Sequence, residues 1–372
     1  MTNLYDYLTW RGDLSFEADP VNAVDGVIFA RLAYLPIEKT DFTGGTLTQA
    51  AEALFALPGI GSLVWQPEDL HLLRALCKTA RFAALPVERF ESRMDEKTQF
   101  FAMTLRTGPQ ERFLAFRGTD DSLVGWEEDL NMGFTCPVPA QSMAADYLCA
   151  EPAQGTLRLG GHSKGGNLAV YASAFSPEAV QSRIVRIYNY DGPGFDDPVL
   201  VQTAYRRICS RIVSFIPQSS VVGRLFGHPE RCLIVHSERM GGVSQHNIYN
   251  WEIVGKRFAT LEALTNSSRF IDSTVKSWLA AMDAQQRAQL VEVVYRVLTE
   301  TNATSVRELE EDPFGSAKNI VRTLRSLDEP TRRGVSQLLS QLAKSARSGW
   351  SDRKQRPPEG GEVDSTPEKA EQ

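Results

Sequence analysis

Gly161-His162-Ser163-Lys164-Gly165 is the stretch of this chain best equipped to do chemistry. A short apolar run through Leu157 and Leu159 leads into it, and a helix-compatible run through Leu168, Val170, Tyr171 and Phe175 follows at once. Strand, tight turn and helix around G-x-S-x-G describe a nucleophile elbow, in which a strained turn lifts the serine hydroxyl above a sheet. Glycines on both flanks let strand and helix approach closely. Ser163 is therefore the candidate nucleophile. A Gly-rich corner that only turns the chain or binds a phosphate is the plainer reading of the glycines alone; the flanking strand and helix favour the elbow.

A serine hydroxyl is a poor nucleophile near neutral pH and needs a histidine to accept its proton, with a third group to orient the ring. Behind an elbow of this kind the chain order is serine, acid, histidine. The sequence has five histidines. His71 precedes the predicted sheet, His162 belongs to the turn with its side chain expected to point away from the hydroxyl, and His228 stands beside Pro229. His236 ends the last predicted strand and His246 lies in the following loop, where a base descends onto the serine. His246 is the first candidate and His236 the second.

For the acid, Asp191 in YNYDGPGF ends a predicted strand. It could equally cap its own turn, a common use of Asp before Gly. After the next strand, RIVSFI, the segment Pro217-Gln218-Ser219-Ser220 has no carboxylate, so Ser219 and Ser220 are the alternative, neutral orienters. An oxyanion needs two donors: the amide of Lys164, and that of Thr119 at the end of ERFLAFRGT, with the Thr119 hydroxyl as an extra. The Lys164 ammonium could attract an anionic substrate group; pairing with Glu127, Glu128 or Asp129 is the favoured expectation.

The elements that must hold these residues follow from periodicity. Three helical runs, VNAVDGVIFARLAYLPI, TLTQAAEALFAL and PEDLHLLRALCKTARFAAL, precede a hairpin made of TQFFAMTLRT and ERFLAFRGT. PAQSMAADYLCA supplies a helix before the elbow strand. RIVRIYNYDGPGF, RIVSFIPQSSVVG and RCLIVHSERMGG are the later strands, with helical DPVLVQTAYRRIC between the first two. Strands alternating with helices predict a mostly parallel sheet covered on both faces, with function at its carboxyl edge. Beyond Trp251 the strand signals stop. The expected division is residues 1–255 as this α/β unit, 256–349 as a C-terminal helical extension and 350–372 as a disordered polar tail.

At 372 residues and 42% apolar content the chain can bury a sizeable core, and its net charge of −6 gives no footing for nucleic acid. No stretch is apolar enough to span a membrane and no signal peptide is evident, so a cytoplasmic protein is expected. The five cysteines lack CxxC spacing, so they predict buried free thiols rather than a disulfide framework or a zinc site.

FRGTDDSLVGWEEDLNM followed by GGHSKGGNLAVYA resembles the class 3 lipase branch of the α/β-hydrolases, with its F-R-G-[ST] oxyanion strand, downstream Trp-x-x-Asp and G-H-S-x-G-G. NLYDYLTWRGDLSF, YNYDGPGF, IPQSSVVG and SQHNIYNW look like a bacterial lipase-like family of largely unknown function. The resemblance implies Ser163 as nucleophile, His246 as base and Thr119 in the oxyanion hole. It also marks a departure, since class 3 lipases carry Asp where this chain has Gln218-Ser219-Ser220. The expectation is a serine hydrolase acting on a small-molecule or lipid acyl ester, without metal or organic cofactor. The alternative is a non-catalytic hydrolase-fold protein binding a lipid, peptide or protein partner, the last through its helical extension.

Overall fold

The computed structural model describes residues 2–95, 98–119, 132, 136–220, 222–224, 226–238, 245–262 and 329. Helices α1 (Leu4–Arg11), α2 (Ala23–Leu32), α3 (Leu47–Phe55), α4 (Ile60–Leu63) and α5 (Pro67–Leu76) occupy the N-terminal part, with the short strand β1 (Gly45–Thr46) before α3. Next come β2 (Pro86–Met94), β3 (Gln99–Gly108), β4 (Glu111–Phe116), α6 (Pro139–Cys149), β5 (Thr156–His162) and α7 (Lys164–Phe175). They are followed by α8 (Glu178–Gln181), β6 (Ile184–Tyr190), α9 (Asp197–Leu200), α10 (Thr203–Cys209), β7 (Ile212–Pro217) and β8 (Arg231–Val235). Three two-residue strands, β9 (Ile253–Val254), β10 (Arg257–Phe258) and β11 (Thr260–Leu261), complete the described elements.

Nine strands form one sheet in the order β1-β2-β3-β4-β5-β6-β7-β8-β11. From β4 to β8 every neighbour is parallel, while β1 to β4 and β8 with β11 pair antiparallel. The expected parallel sheet is thus the centre of a mixed one. Strand side chains alternate between the two faces, and the core divides accordingly. Phe113 and Ala115 of β4, Tyr188 and Tyr190 of β6 and Phe215 of β7 join α1, α2, α3 and α5 in one cluster. Leu114 and Phe116 of β4 and Ile187 of β6 join α6, α7 and α10 in the other. Helices on both faces of a sheet with a parallel centre, and an elbow at its carboxyl edge, make this an α/β-hydrolase fold.

Two departures from the sequence reading have simple causes. Strand β2 alternates Val87 and Phe90 with charged residues, a pattern that reads as polar surface until β3 is laid beside it. After Trp251 the chain still adds strands, and β11 pairs with β8, so the sheet runs to Leu261. Residues 256–262, the start of the expected helical extension, carry β10 and β11, and the rest of that extension and the polar tail lie outside the described residues, Glu329 apart. All five cysteines are free, as expected, but none is buried: Cys136 and Cys149 are exposed and Cys77, Cys209 and Cys232 half-buried. Among the described residues no helix is long and apolar enough to cross a membrane.

Candidate active site

Ser163 stands between β5 and α7 with φ 58° and ψ −133°, a conformation that a non-glycine residue adopts only under local constraint. The constraint is visible in its neighbours. A Cβ on Gly161 would lie 2.2 Å from the Gly165 carbonyl carbon, and one on Gly165 would lie 2.1 Å from the Phe116 carbonyl oxygen. The Ser163 N–H donates to the Tyr190 carbonyl at 3.0 Å, tying the turn to the end of β6. G-x-S-x-G is therefore spelled by contact: at both outer positions any side chain would collide with backbone.

Asp191 follows β6, fully buried and itself at φ 54°. Its N–H donates to the Phe215 carbonyl of β7 at 2.8 Å. Asn189 clamps the next residue, accepting from the Gly192 N–H at 2.9 Å, while Asn167 of α7 donates to the Pro193 and Gly194 carbonyls at 3.1 Å each. Thus held, Asp191 Oδ1 accepts from the Gly223 N–H at 3.1 Å and Oδ2 accepts from His246 Nδ1 at 2.7 Å. A carboxylate oxygen can only accept, so Nδ1 carries a proton and Nε2 of a neutral ring is the basic nitrogen.

His246 is anchored through its backbone. Its carbonyl accepts from His162 Nε2 at 2.8 Å, and the two rings lie 4.4 Å apart between centroids. The preceding Gln245 carbonyl accepts from Trp251 Nε1 at 2.8 Å. Burial above all, and then the neighbouring His246 ring, hold His162 well below the usual histidine range. The base candidate is thus fastened to the residue immediately before Ser163.

Ser219 and Ser220, the alternative orienters, bond to other groups, although Ser220 shares the Gly223 N–H with Asp191. The Ser219 N–H donates to Gln245 Oε1 at 2.7 Å, and Ser220 Oγ accepts from the Gly223 N–H at 3.3 Å. Gln218 bridges β7 to the segment after β8 through the Ser237 carbonyl at 3.1 Å and N–H at 2.8 Å. Position 191 supplies the carboxylate instead. The second base candidate, His236, is bonded to Glu252 at 2.6 Å on a partly exposed surface.

On the oxyanion side, a Cβ on Gly118 would lie 2.5 Å from the His162 carbonyl oxygen and 3.2 Å from Ser163 Cβ, so the Gly118-Thr119 backbone runs alongside the elbow. Arg117 fixes that strand end, donating to the Ala33 and Leu35 carbonyls and to both Glu38 carboxylate oxygens, at 2.8 and 3.0 Å. Lys164 is the first residue of α7, where helix geometry leaves the amide without an intrahelical acceptor. The Lys164 ammonium is buried and donates to the Gln99 carbonyl at 3.0 Å. Glu127, Glu128 and Asp129, its expected partners, lie outside the described residues.

Among the described residues, one trio could offer atoms to a metal: His228, Glu230 and Cys232, whose ligand atoms lie within 4.8 Å of one another. The carboxylate already accepts from three donors, His228 Nδ1 at 2.7 Å, the Ser214 hydroxyl at 2.5 Å and the Tyr205 hydroxyl at 3.0 Å. Burial alone would raise the Glu230 carboxyl, yet bonds from His228 and Ser214 hold it below the usual range. The trio reads as a buried hydrogen-bond cluster. Sequence reasoning gave no role to His162, Tyr34 or Gln245; each acts on residues remote in sequence, which no local pattern announces.

The sheet, its covering helices and the elbow define an α/β-hydrolase fold. Residues 76–296 match the Mbeg1-like family, and the chain belongs to that family. Two solved structures are similar to parts of it. A fungal lipase in complex with an inhibitor, from work on interfacial activation, is 15% identical over 57% of this chain and 77% of that one, with a TM-score of 0.35. M37 lipase is 12% identical over 55% of this chain and 70% of that one, with a TM-score of 0.33. No curated protein matches the chain.

Proposed function

We propose that the chain is a serine hydrolase that cleaves an acyl ester or thioester of a small molecule or lipid through an acyl-enzyme. The observation that carries the reading is the buried Asp191 carboxylate on His246 Nδ1 at 2.7 Å, with the His246 carbonyl bonded to His162, the residue before a serine held at φ 58°. In the first half-reaction Ser163 Oγ attacks the acyl carbonyl while His246 Nε2 takes its proton. The charge that develops on the carbonyl oxygen is met by the amides of Lys164 and Thr119. Collapse expels the alcohol or thiol, which receives the proton from His246, and leaves the acyl group on Ser163. Water then repeats the sequence and releases the acid. Asp191 holds the ring in the tautomer that leaves Nε2 bare and favours the imidazolium that forms.

The carboxylate at 191 favours this reading over a non-catalytic binding protein, which was suggested by the missing acid after β7. A fluorophosphonate probe tests it. The wild type should form a covalent adduct that mass spectrometry maps to Ser163, and Ser163→Ala should form none. A wild type that stays unlabelled, or a Ser163→Ala variant labelled equally, refutes the hydrolase reading.

A further inference from the structure

The His246 carbonyl can only accept, so His162 Nε2 carries a proton, and in the neutral ring Nδ1 is bare. The Tyr34 hydroxyl lies 3.3 Å from that nitrogen and 3.3 Å from the His162 carbonyl. His162 and Tyr34 are both buried. The Tyr34 ring stacks on Trp65 at 5.7 Å and lies 4.1 Å under the Arg31 guanidinium. Arg31 is buried in a two-point pair with Asp69, at 2.9 and 2.6 Å, and Asp69 Oδ1 accepts from the Tyr249 hydroxyl at 2.8 Å. Tyr249 belongs to the loop that carries His246. The contacts therefore close a ring, from the elbow through Tyr34, Arg31, Asp69 and Tyr249 to the base loop, and back through His246 to the elbow.

We infer that His162 is a positioning residue for His246: its Nε2 proton, held on that nitrogen by the His246 carbonyl while the Tyr34 hydroxyl backs the other side of the ring, sets the height of the His246 backbone so that the ring meets Asp191 on one side and the Ser163 hydroxyl on the other. The inference rests on the hydrolase reading for its catalytic consequence, and on geometry alone for the contact. A neutral donor is required here. An imidazolium at 4.4 Å from the His246 ring would oppose the positive charge that His246 must take up. Burial keeps His162 neutral, and its tautomer aims its one N–H at the one carbonyl that moves the base.

Two variants and two readouts test this on the full chain. His162→Leu removes the donor; His162→Gln puts an amide N–H close to where Nε2 lies. The first readout is the rate of fluorophosphonate labelling of Ser163 across pH. The second is the far-downfield NMR resonance of the His246 Nδ1 proton shared with Asp191. In His162→Leu the labelling rate should fall ~100-fold, the cost of about an ångström of misplacement, and the resonance should broaden or vanish. His162→Gln should restore most of both. A His162→Leu protein that labels within about threefold of the wild type and keeps the resonance overturns the inference. If His162→Leu does not fold, His162→Phe decides: it keeps an aromatic ring in the site and loses the donor, so labelling should slow and the resonance broaden as expected for His162→Leu, and wild-type values for both overturn the inference. An unlabelled wild type whose resonance still responds to His162→Leu would refute the hydrolase reading and leave the positioning role standing. A labelled wild type indifferent to position 162 would do the reverse.

Discussion

Replacing Asp191 by Asn is the sharpest test of the triad, because the amide matches the carboxylate in shape and differs only in what it can accept. The carboxylate receives two protons, from the Gly223 N–H at 3.1 Å and from His246 Nδ1 at 2.7 Å. An Asn side chain has one accepting oxygen. If that oxygen stays with His246, the amide NH₂ faces the Gly223 N–H, and the two buried donors are left to share Ser220 Oγ, 3.3 Å from the Gly223 nitrogen, so that one is poorly bonded at a cost of about 1–3 kcal/mol. If it turns to Gly223, the NH₂ points at Nδ1, which must give up its proton, and Nε2 becomes the protonated nitrogen. The second arrangement leaves no buried donor unsatisfied and therefore dominates, and in it His246 cannot accept the Ser163 proton. Wrong-tautomer substitutions of this kind cost ~10⁴-fold in turnover, or about 5 kcal/mol of transition-state stabilisation. The assay is fluorophosphonate labelling or hydrolysis of a chromogenic acetyl ester, with near-UV circular dichroism to show an intact fold. A variant that keeps its rate within about tenfold of wild type refutes the argument, since the contact would then be packing rather than orientation.

Three further outcomes are expected. Gly118→Ala should abolish labelling while leaving most of the fold, since its Cβ would stand 2.1 Å from the Tyr34 hydroxyl and 2.5 Å from the His162 carbonyl, pushing the Thr119 amide off the site; titration of Ser163 with the probe measures it. Asp25→Asn should lower stability by about 3–5 kcal/mol in urea unfolding, because Arg81 is buried against Asp25 with bonds at 2.8 and 2.5 Å and would keep an uncompensated charge. Stability should also fall on acidification in two steps. His162, held neutral, binds fewer protons folded than unfolded, so its contribution is complete above its ordinary pKa of about 6.5 and is lost as pH falls below it. Glu230 is held below its ordinary 4.5, so its contribution is present above that value and is lost as pH falls through the folded value. Thermal midpoints measured from pH 8 downward should show both steps, and His162→Gln should remove the upper one.

The parts of the site that were legible in the sequence are those whose cause is local. Gly161 is forced by a contact within the elbow and Gly165 by Phe116 at the end of the neighbouring strand, yet both fall with Ser163 in one run of five residues, so the spacing carries them. Asp191 and His246 were each legible as candidates, one ending a strand before glycine and the other in the loop after the last strand, but the choice of Asp191 over Ser219 and Ser220 was not, because the bond to His246 spans 55 residues. The link from Tyr34 to His162 spans 128 residues and leaves no trace in either neighbourhood. Secondary structure failed in the same way. Two-residue strands such as β9 to β11 are too short to show a period, and the helical run from Pro67 stops at Leu76 because the following residues turn back to lay Arg81 against Asp25.

The shift of the acid from the end of β7 to the end of β6 is compatible with an intact site because the two strands are parallel neighbours in register, Tyr190 beside Phe215. Both ends open on the same edge of the sheet, and the left-handed turn at Asp191, pinned through its N–H to Phe215, carries the carboxylate across to the β7 side. There it meets the Gly223 N–H from the segment that follows β7, at a place where even one added carbon on Gly223 would fall 2.1 Å from Oδ1. The residues after β7, relieved of supplying an acid, hold the base loop instead: Gln218 grips the backbone N–H and carbonyl of Ser237, and the Ser219 amide grips the side chain of Gln245 beside His246. Restoring a carboxylate at the expected place, by Ser219→Asp, should therefore slow Ser163 labelling rather than quicken it. The new charge would stand beside Gln245, disturbing the loop that sets His246, while Asp191 already occupies the nitrogen it would need. Faster labelling in that variant would mean that the carboxylate after β7 is the better orienter and that Asp191 is a structural cap.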